Sequence, residues 1–337
     1  MGSDNRPADT ARPLVEVVGL KCHFDVSAPL LNRLIEGKPR QTVRAVDGID
    51  FQIAGGRTFA LVGESGCGKS TVAHLVVGLH PPSAGRVMFD GTDFTALSDR
   101  KTQAGLRRRI SMIFQDPYAS LNPRWRVAKI VGEPIRAFGL IAGGDAIERR
   151  VAELLESVGL SAEDGDKYPH EFSGGQRQRI SIARALASEP EFIVCDEPTS
   201  ALDVSVQAQI LNLMKGLQER LKLSYLFISH DLAVVRHMAD TVGVMYLGKL
   251  VETAPVDTLF DSPFHPYTQM LLDTIPDIEM TGKKRAPTSG EIPNPIDPPS
   301  GCSFHPRCPL AAAVCRRTTP VLEQAGTASR VACHMVD

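Results

Sequence analysis

The segment from Gly63 to Ser70 constrains the fold of this 337-residue chain more than any other part of the sequence. It fits the pattern GxxxxGK[ST], follows the apolar run Thr58–Val62 and precedes apolar residues at helical spacing. A glycine-rich turn between a strand and a helix can surround phosphate groups with backbone N–H groups, and the helix N-terminus adds a positive end. Lys69 is predicted to reach the outer phosphates, and Ser70 to help hold Mg²⁺. The residues predicted to form this phosphate-binding loop are Gly63, Glu64, Ser65, Gly66, Cys67, Gly68, Lys69, Ser70 and Thr71.

A second apolar run, Phe192–Cys195, ends in two adjacent carboxylates, Asp196 and Glu197. At the carboxyl end of a strand, Asp196 can join Ser70 in holding Mg²⁺. Glu197 can accept a proton from an attacking water, which makes it the candidate general base. The alternative is a strand capped by solvated acids. The carboxylate pair narrows the choice among kinases, GTPases, helicases and transporters, which the loop alone leaves open.

A second glycine-containing motif, Ser173-Gly174-Gly175-Gln176, lies shortly before this strand at the start of a predicted helix. Ser173 is suited to be the N-cap, and the glycines leave the helix N-terminus open to an anion. One nucleotide does not need two such elements on one chain. The pair is explained if two chains face each other head to tail, each closing the other's site.

In this order, the motifs resemble those of the ATP-binding subunits of ABC transporters over about residues 14–270. Three further residues match motifs of that family: Gln115 the Q-loop, Asp203 the D-loop and His230 the switch histidine. The resemblance implies ATP and Mg²⁺ as cofactors, and Glu197, His230 and Gln115 as the catalytic set. Gln115 is also implied as a Mg²⁺ ligand. The residues implied to bind nucleotide across the facing chains are Ser173, Gly174, Gly175, Gln176 and Asp203.

The predicted fold is α/β, because strand and helix patterns alternate after the loop and predict a mostly parallel central sheet. The resemblance adds a P-loop NTPase core, an antiparallel β subdomain and a helical subdomain over about residues 118–180. Residues 1–13 are polar and predicted to be disordered, and about 26–42 to be an exposed insertion. Residues 14–270 form the predicted ATP-binding domain, and residues 271–337 a C-terminal extension.

Two residues of the nucleotide site carry open alternatives. Phe24 matches the position of the family's adenine-stacking tyrosine, and the alternative is a core phenylalanine. Cys67 lies beside a helix N-terminus, which tends to lower a thiol pKa. We expect alkylation of Cys67 to block ATP by its bulk, the alternative being that Cys67 is only a small filler.

The C-terminal extension is rich in proline, with Pro293, Pro295, Pro298 and Pro299 following Pro287, which predicts a linker or wrapped segment. Its motifs resemble the tails of dipeptide, oligopeptide and nickel importer ATPases, as the second of their two paired ATPase subunits. The resemblance implies ATP-driven import of short peptides, with nickel or another small solute as the alternative. It implies four partners: a second, different ATPase chain, two membrane permease subunits and an extracytoplasmic substrate-binding protein.

Four of the seven cysteines, Cys302, Cys308, Cys315 and Cys333, cluster in this extension. Four thiolates suit either an iron–sulfur cluster or a tetrahedral Zn²⁺ site. Their spacing matches neither common ferredoxin pattern. We predict a [4Fe–4S] cluster, with Zn²⁺ and unligated thiols as the alternatives.

Composition limits where such a chain acts. Lys plus Arg (37) nearly balances Asp plus Glu (39), so no nucleic acid partner is predicted. No apolar stretch approaches the roughly 18 residues of a membrane span, so any membrane role must come from a partner chain. The resemblance implies a peripheral protein at the cytoplasmic face of the inner membrane. Three other classes of protein fit the sequence less well. A soluble ABC protein acting on ribosomes or DNA is disfavoured by the single set of motifs, and an exporter motor by the C-terminal tail. A non-hydrolysing regulatory module is disfavoured by the intact Glu197 and His230.

Overall fold

The computed structural model describes residues 12–27, 39, 41–96, 99–274, 291 and 293–336. Most of the predicted disordered N-terminus and predicted insertion, as well as Pro287, lie outside these ranges. The strands are β1 (Val15–Asp25), β2 (Thr42–Ile53), β3 (Thr58–Val62), β4 (Ala84–Phe89), β5 (Thr92–Asp93), β6 (Ile110–Ile113), β7 (Phe192–Asp196), β8 (Ser224–Ile228), β9 (Thr241–Tyr246), β10 (Lys249–Pro255), β11 (Glu323–Ala325) and β12 (Ser329–Val331). The α-helices are α1 (Lys69–Val76), α2 (Arg100–Arg109), α3 (Pro117–Ser120), α4 (Val127–Ala137), α5 (Gly144–Ser157), α6 (Gly174–Leu186), α7 (Val204–Leu221), α8 (Leu232–Met238), α9 (Val256–Asp261) and α10 (Pro266–Leu272).

The central sheet has the strand order β11-β12-β10-β9-β3-β8-β7-β6 in the described part of the chain. From β9 to β6 all neighbours are parallel, and every residue of β3, β7 and β8 is buried. Burial on both faces explains why these strands are continuous apolar runs in the sequence. Because the strands are parallel, the residues that follow them meet at one edge of the sheet.

A second, antiparallel sheet with the order β2-β1-β4-β5 packs beside the first. Buried and half-exposed residues alternate along β1, as expected of a strand with one face on the core. Its apolar residues, among them Val15 and Leu20, form one core with Leu61 of β3 and Leu75 of α1. This contact fixes the antiparallel sheet next to the phosphate-binding loop.

The helical subdomain consists of α4, α5 and α6, which pack on one another through an apolar core. The stripe recognised in the sequence, Val151, Leu154, Leu155 and Val158, is 0–4% exposed and faces that core. The helical content predicted for this part of the chain is therefore confirmed. None of the helices in the described residues is both long and apolar enough to span a bilayer.

The C-terminal extension joins the central sheet instead of forming a separate layer. β12 pairs antiparallel with β10, and β11 pairs antiparallel with β12. Phe304 of the extension is 1% exposed and packs against the rings of Tyr246 and Tyr267. Strand pairing was not anticipated for a proline-rich tail, because β11 and β12 are three residues long and give little periodic signal. The domain boundary near residue 271 stays a prediction.

His265 is buried where the extension meets the sheet. It caps α10 through Nδ1, which accepts from Tyr267 N–H at 3.0 Å, and is 1% exposed. Its Nε2 has no hydrogen-bond partner among the described residues. Burial lowers the pKa of His265 to about 4. The imidazole is therefore neutral in the folded protein at neutral pH.

We expect His265 to make the protein less stable as the pH falls. Below the ordinary histidine pKa of 6.5 the unfolded chain binds a proton that the folded protein takes up only near pH 4, so the stabilisation present above 6.5 is lost towards 4. Between about pH 7 and about pH 5, wild type should lose about 2 kcal/mol more unfolding free energy than His265→Asn. Urea unfolding at each pH measures this, with His237→Asn, an exposed histidine, as the control. Equal pH slopes for wild type and His265→Asn would contradict the assignment.

Candidate active site

The carboxyl edge of the parallel strands forms a cavity of about 230 Å³ around the phosphate-binding loop. The predicted residues that line it are Ser65, Gly66, Gly68, Lys69, Ser70, Thr71, Gln115 and Glu197. The lining residues that sequence reasoning missed are Val43, Arg44, Ala45, Leu247, Gly248 and Pro295. They come from β2, from the turn between β9 and β10 and from the C-terminal extension. No local motif marks them, since only the packing of the two sheets brings them to the loop.

Lys69 lies inside the cavity with its ammonium bound to the loop itself. Its Nζ donates to the carbonyl of Gly63 at 2.8 Å and to that of Glu64 at 3.0 Å, and the residue is 5% exposed. A buried ammonium with carbonyl partners is placed where an incoming phosphate oxygen can bind it. This is the role predicted for Lys69.

Gly68 connects the loop to α1 in a conformation that other residues rarely adopt, with φ of +108°. A Cβ at this position would lie 2.0 Å from the carbonyl oxygen of Ala45. The antiparallel sheet therefore touches the backbone of the phosphate-binding loop directly. Only glycine allows this approach.

Ser70 and Asp196 form the part of the site that would hold Mg²⁺. The Ser70 hydroxyl donates to Asp196 Oδ1 at 3.1 Å, and Asp196 is 4% exposed. Burial raises the pKa of Asp196, while the hydrogen bond from Ser70 opposes the rise. A hydroxyl and a buried carboxylate are the oxygen donors that Mg²⁺ prefers. These two residues therefore fit the predicted metal.

Two of the residues predicted to be catalytic, Gln115 and His230, contact the same carboxylate oxygen of the third, Glu197. Gln115 Nε2 donates to Glu197 Oε2 at 3.0 Å, and His230 Nδ1 lies 3.2 Å from the same oxygen. Glu197 has a φ of +45°, in the left-handed region, and its N–H donates to the carbonyl of Ile228 on the neighbouring strand. Such a conformation in a residue other than glycine is strained and is common at functional sites. Glu197, at the end of β7, is thus held at the mouth of the cavity by partners from the ends of the two neighbouring strands, β6 and β8.

The Ser173 motif lies at the start of α6 and does not line the cavity around Lys69. Ser173 is the N-cap, as predicted: its Oγ accepts from Gln176 N–H, and Gln176 Oε1 accepts from Ser173 N–H. A Cβ on Gly175 would lie 2.3 Å from Cγ1 of Val206, so close packing on α7 also requires this glycine. Asp203 caps α7, where the N–H of Val206 lowers the pKa of its carboxyl. The binding of nucleotide by these residues across two chains stays a prediction.

Apart from the Ser173 motif and Asp203, four residues predicted to bind nucleotide do not line the cavity of this chain: Phe24, Gly63, Glu64 and Cys67. Phe24 is 38% exposed, with its ring edge-on to His80, and its cross-strand partner Val43 does line the cavity. The side chain of Glu64 points to Arg307 of the extension. Adenine stacking by Phe24 stays a prediction.

For Cys67 the expected pKa direction is wrong. The thiol is 4% exposed, and burial raises its pKa, although the Lys69 ammonium 3.7 Å away opposes the rise. Desolvation outweighs the nearby positive charge, because a buried thiolate loses its hydration. Cys67 is therefore a buried thiol and not an activated one. That alkylation of Cys67 would block ATP stays a prediction.

The predicted four-cysteine metal site is not supported. Burial raises the pKa of Cys302, and the neighbouring thiols of Cys315, Cys333 and Cys308 add to the rise. Across the described residues, however, no group of three or more Cys, His, Asp or Glu side chains is arranged to hold a metal ion. The predicted [4Fe–4S] cluster and its Zn²⁺ alternative are consequently not assigned to these cysteines.

Comparisons with known proteins agree with this geometry. Residues 46–200 match the family "ABC transporter", and residues 251–315 match "Oligopeptide/dipeptide transporter, C-terminal region". The chain is 52% identical to YkfD of Bacillus subtilis (strain 168) (96% of this chain, 95% of that protein). It is 47% identical to the dipeptide transport ATP-binding protein DppF of Haemophilus influenzae (96% and 97%) and 45% identical to the oligopeptide transport ATP-binding protein OppF of Salmonella typhimurium (99% of each).

Solved structures agree as well. The post-hydrolysis dimer of the ATP-binding cassette MJ0796, bound to ADP and Pi, matches with a TM-score of 0.62 and 26% identity over 72% of this chain and 98% of its own. The ABC transporter component cbiO1 of Clostridium perfringens matches with a TM-score of 0.61 and 29% identity over 74% and 91%. The predicted α/β P-loop fold is confirmed.

The fold and the site define an ATPase of the ATP-binding cassette class, with hydrolysis coupled to transport. The chain belongs to the ABC transporter family, among relatives named as the ATP-binding proteins of oligopeptide and dipeptide transport.

Proposed function

We propose that this chain supplies the energy for import of short peptides through a membrane ABC transporter. The observation that carries the ATPase part is the convergence of Gln115 and His230 on one oxygen of Glu197 beside the phosphate-binding loop. The peptide part is supported by the family match of residues 251–315 and by relatives named for oligopeptide and dipeptide transport. These names favour peptides over nickel as the transported solute.

In the proposed cycle, the loop N–H groups and Lys69 bind the phosphates of ATP. Ser70 and Asp196 would hold Mg²⁺, which would offset the negative charge of the phosphates. Glu197 accepts a proton from the attacking water. Gln115 and His230 orient that carboxylate, since both contact its Oε2.

The Ser173 motif completes the site of a facing ATPase chain. The open α6 N-terminus offers an anion-binding end that the cavity of the same chain does not use. ATP adds attraction only when the two chains are closed, so binding shifts the population towards the closed dimer and hydrolysis releases it. We propose that the facing chain is a different ATPase subunit.

A groove of about 640 Å³ between the sheet core and the helical subdomain suits a membrane permease as partner. Its walls include Leu79, Phe114 and Phe138, which are 37–55% exposed, and the ion pair between Arg184 and Glu133 at 3.8 Å. Phe114 precedes Gln115 in the chain, and Gln115 donates a hydrogen bond to Glu197. Movement of an amphipathic permease helix in the groove would therefore be transmitted through Gln115 to the catalytic carboxylate. The permease would thereby hold the chain at the cytoplasmic face of the inner membrane and link it to an extracytoplasmic substrate-binding protein.

Uptake of labelled dipeptide, with nickel as the comparison, tests the proposed substrate class. We expect deletion of the gene to abolish dipeptide uptake, wild type to restore it and Glu197→Gln to leave it abolished, because a bound but unhydrolysed ATP cannot reset the cycle. Loss of nickel uptake alone would contradict the peptide proposal while leaving the ATPase assignment intact.

A further inference from the structure

The C-terminal extension reaches the phosphate-binding loop through one arginine. Arg307 Nη1 donates to Glu64 Oε2 at 2.7 Å, and Nη2 donates to Glu64 Oε1 at 2.9 Å. The side chain of Arg307 is 3% exposed and that of Glu64 is 21% exposed. A two-point contact between a guanidinium and a carboxylate with little solvent access is a strong, directional ion pair.

The surroundings of Arg307 keep it in this position. Its guanidinium lies 5.9 Å from the ring centres of both Tyr246 and Phe304, and Nη1 lies 3.5 Å from Tyr246 Oη. Met270 Sδ lies 3.9 Å from Nη2. The hydrogen bonds to Glu64 raise the pKa of Arg307 further above its ordinary value, so the guanidinium remains charged at neutral pH.

Glu64 is held at two more points, both in its backbone. Its N–H donates to Tyr267 Oη at 2.9 Å, and its carbonyl accepts from Lys69 Nζ at 3.0 Å. The second residue of the phosphate-binding loop is therefore fixed from outside the loop by Tyr267 and Arg307. It in turn positions the ammonium that is to bind the phosphates.

A carboxylate at this position is unfavourable for an anion-binding loop. ATP brings several negative charges, and an unpaired Glu64 carboxylate in a partly dehydrated setting would repel them. Arg307 cancels this charge and directs the side chain away from the cavity, which Glu64 does not line.

We propose that Arg307 is a positioning residue for ATP binding: it neutralises Glu64 and turns it away, so that the phosphate-binding loop accepts a nucleotide. The C-terminal extension is in this way part of the ATP site as well as of the sheet. The inference rests on the proposed function only in taking ATP as the ligand of the loop.

Titration calorimetry of the full chain with MgATP tests the proposal. We expect Arg307→Met to raise the Kd about tenfold or more, since it leaves the partly buried carboxylate of Glu64 uncompensated near the phosphates. Glu64→Gln should bind MgATP at least as tightly as wild type, because it removes the carboxylate and leaves the positive charge of Arg307. The double variant Glu64→Gln/Arg307→Met should recover most of the affinity that Arg307→Met loses, because it lacks the repelling carboxylate. The KM for ATP should rise in Arg307→Met while kcat at saturating ATP is kept, which a general loss of folding would not produce.

Arg109→Met is the matched control. Arg109 also contacts both oxygens of a glutamate, Glu191, at 2.6 and 2.8 Å, but at the opposite edge of the sheet. The variant Arg109→Met should leave the Kd for MgATP unchanged.

Wild-type affinity for MgATP in Arg307→Met would overturn the proposal. Weakened binding in Glu64→Gln would also overturn it, and this variant can be measured even if Arg307→Met fails to fold. Equal loss in Arg307→Met and in the double variant would overturn it too, by showing that packing and not charge matters. Failure of wild type to bind MgATP would instead overturn the ATPase function, and this inference with it.

Discussion

Replacing Glu197 by Gln is expected to slow ATP hydrolysis by a factor of about 10²–10⁴ while ATP binding remains. Glutamine has the same shape and can accept the hydrogen bond from Gln115, but it cannot take a proton from the attacking water. The phosphate-binding contacts of Lys69 and Ser70 are untouched. Phosphate release gives the rate and calorimetry the affinity. Size-exclusion chromatography of the variant with ATP and the facing ATPase chain should show more of the closed dimer than wild type does.

Glu191→Gln is the matched control for this experiment, because Glu191 and Glu197 flank the same strand, β7, at its two ends. Glu191 is about half exposed and pairs with Arg109, remote from the cavity. Its replacement should leave the rate of hydrolysis within about twofold of wild type. A variant Glu197→Gln that hydrolyses ATP at the wild-type rate would remove Glu197 as the general base.

Gly68→Ala is expected to lower the unfolding free energy by about 3 kcal/mol and kcat/KM for ATP by about a hundredfold. The added Cβ would lie 2.0 Å from the carbonyl oxygen of Ala45, in a backbone conformation with φ of +108°. Backbone cannot yield as a flexible side chain can, so either the loop or β2 must shift. Chemical denaturation and steady-state kinetics measure the two effects.

Two glycines separate the causes of this loss. Gly66 has φ of +79°, but a Cβ there meets nothing within 4 Å, so Gly66→Ala should cost only about 1–2 kcal/mol for the conformation itself. Gly216 lies inside α7 with open space around it, and Gly216→Ala should stabilise by about 0.5–1 kcal/mol. Equal losses for Gly66→Ala and Gly68→Ala would show that contact with Ala45 is unimportant.

The parts of the site that follow parallel strands could be predicted from the sequence. The phosphate-binding loop after β3, Asp196 and Glu197 at the end of β7 and His230 after β8 each lie next to an apolar run, and parallel neighbours bring such positions to one edge. The N-cap role of Ser173 was predictable because a serine directly before a predicted helix is itself a local signal. These features depend on short segments and on one rule of sheet geometry.

The remaining features depend on contacts between distant segments. Arg307 and Glu64 have no shared motif, and the approach of Ala45 to Gly68 arises only when two sheets pack. The pKa of Cys67 was assigned the wrong direction because a helix N-terminus is visible in the sequence and burial is not. The thiol count of the tail similarly does not show whether the side chains are arranged to hold a metal ion, and among the described residues they are not.

The pairing of β12 with β10 makes the order in which the ribosome delivers the chain important. When Lys249–Pro255 has been synthesised, β10 can pair with β9 on one side, but its other edge stays open until Ser329–Val331 emerges. An open strand edge with a mostly buried sequence is prone to pair with other chains. Arg307 also emerges late, so the nascent chain carries an uncompensated Glu64 during the same interval. A premature stop between β10 and Arg307 would therefore release a protein that is at once aggregation-prone and weak in ATP binding.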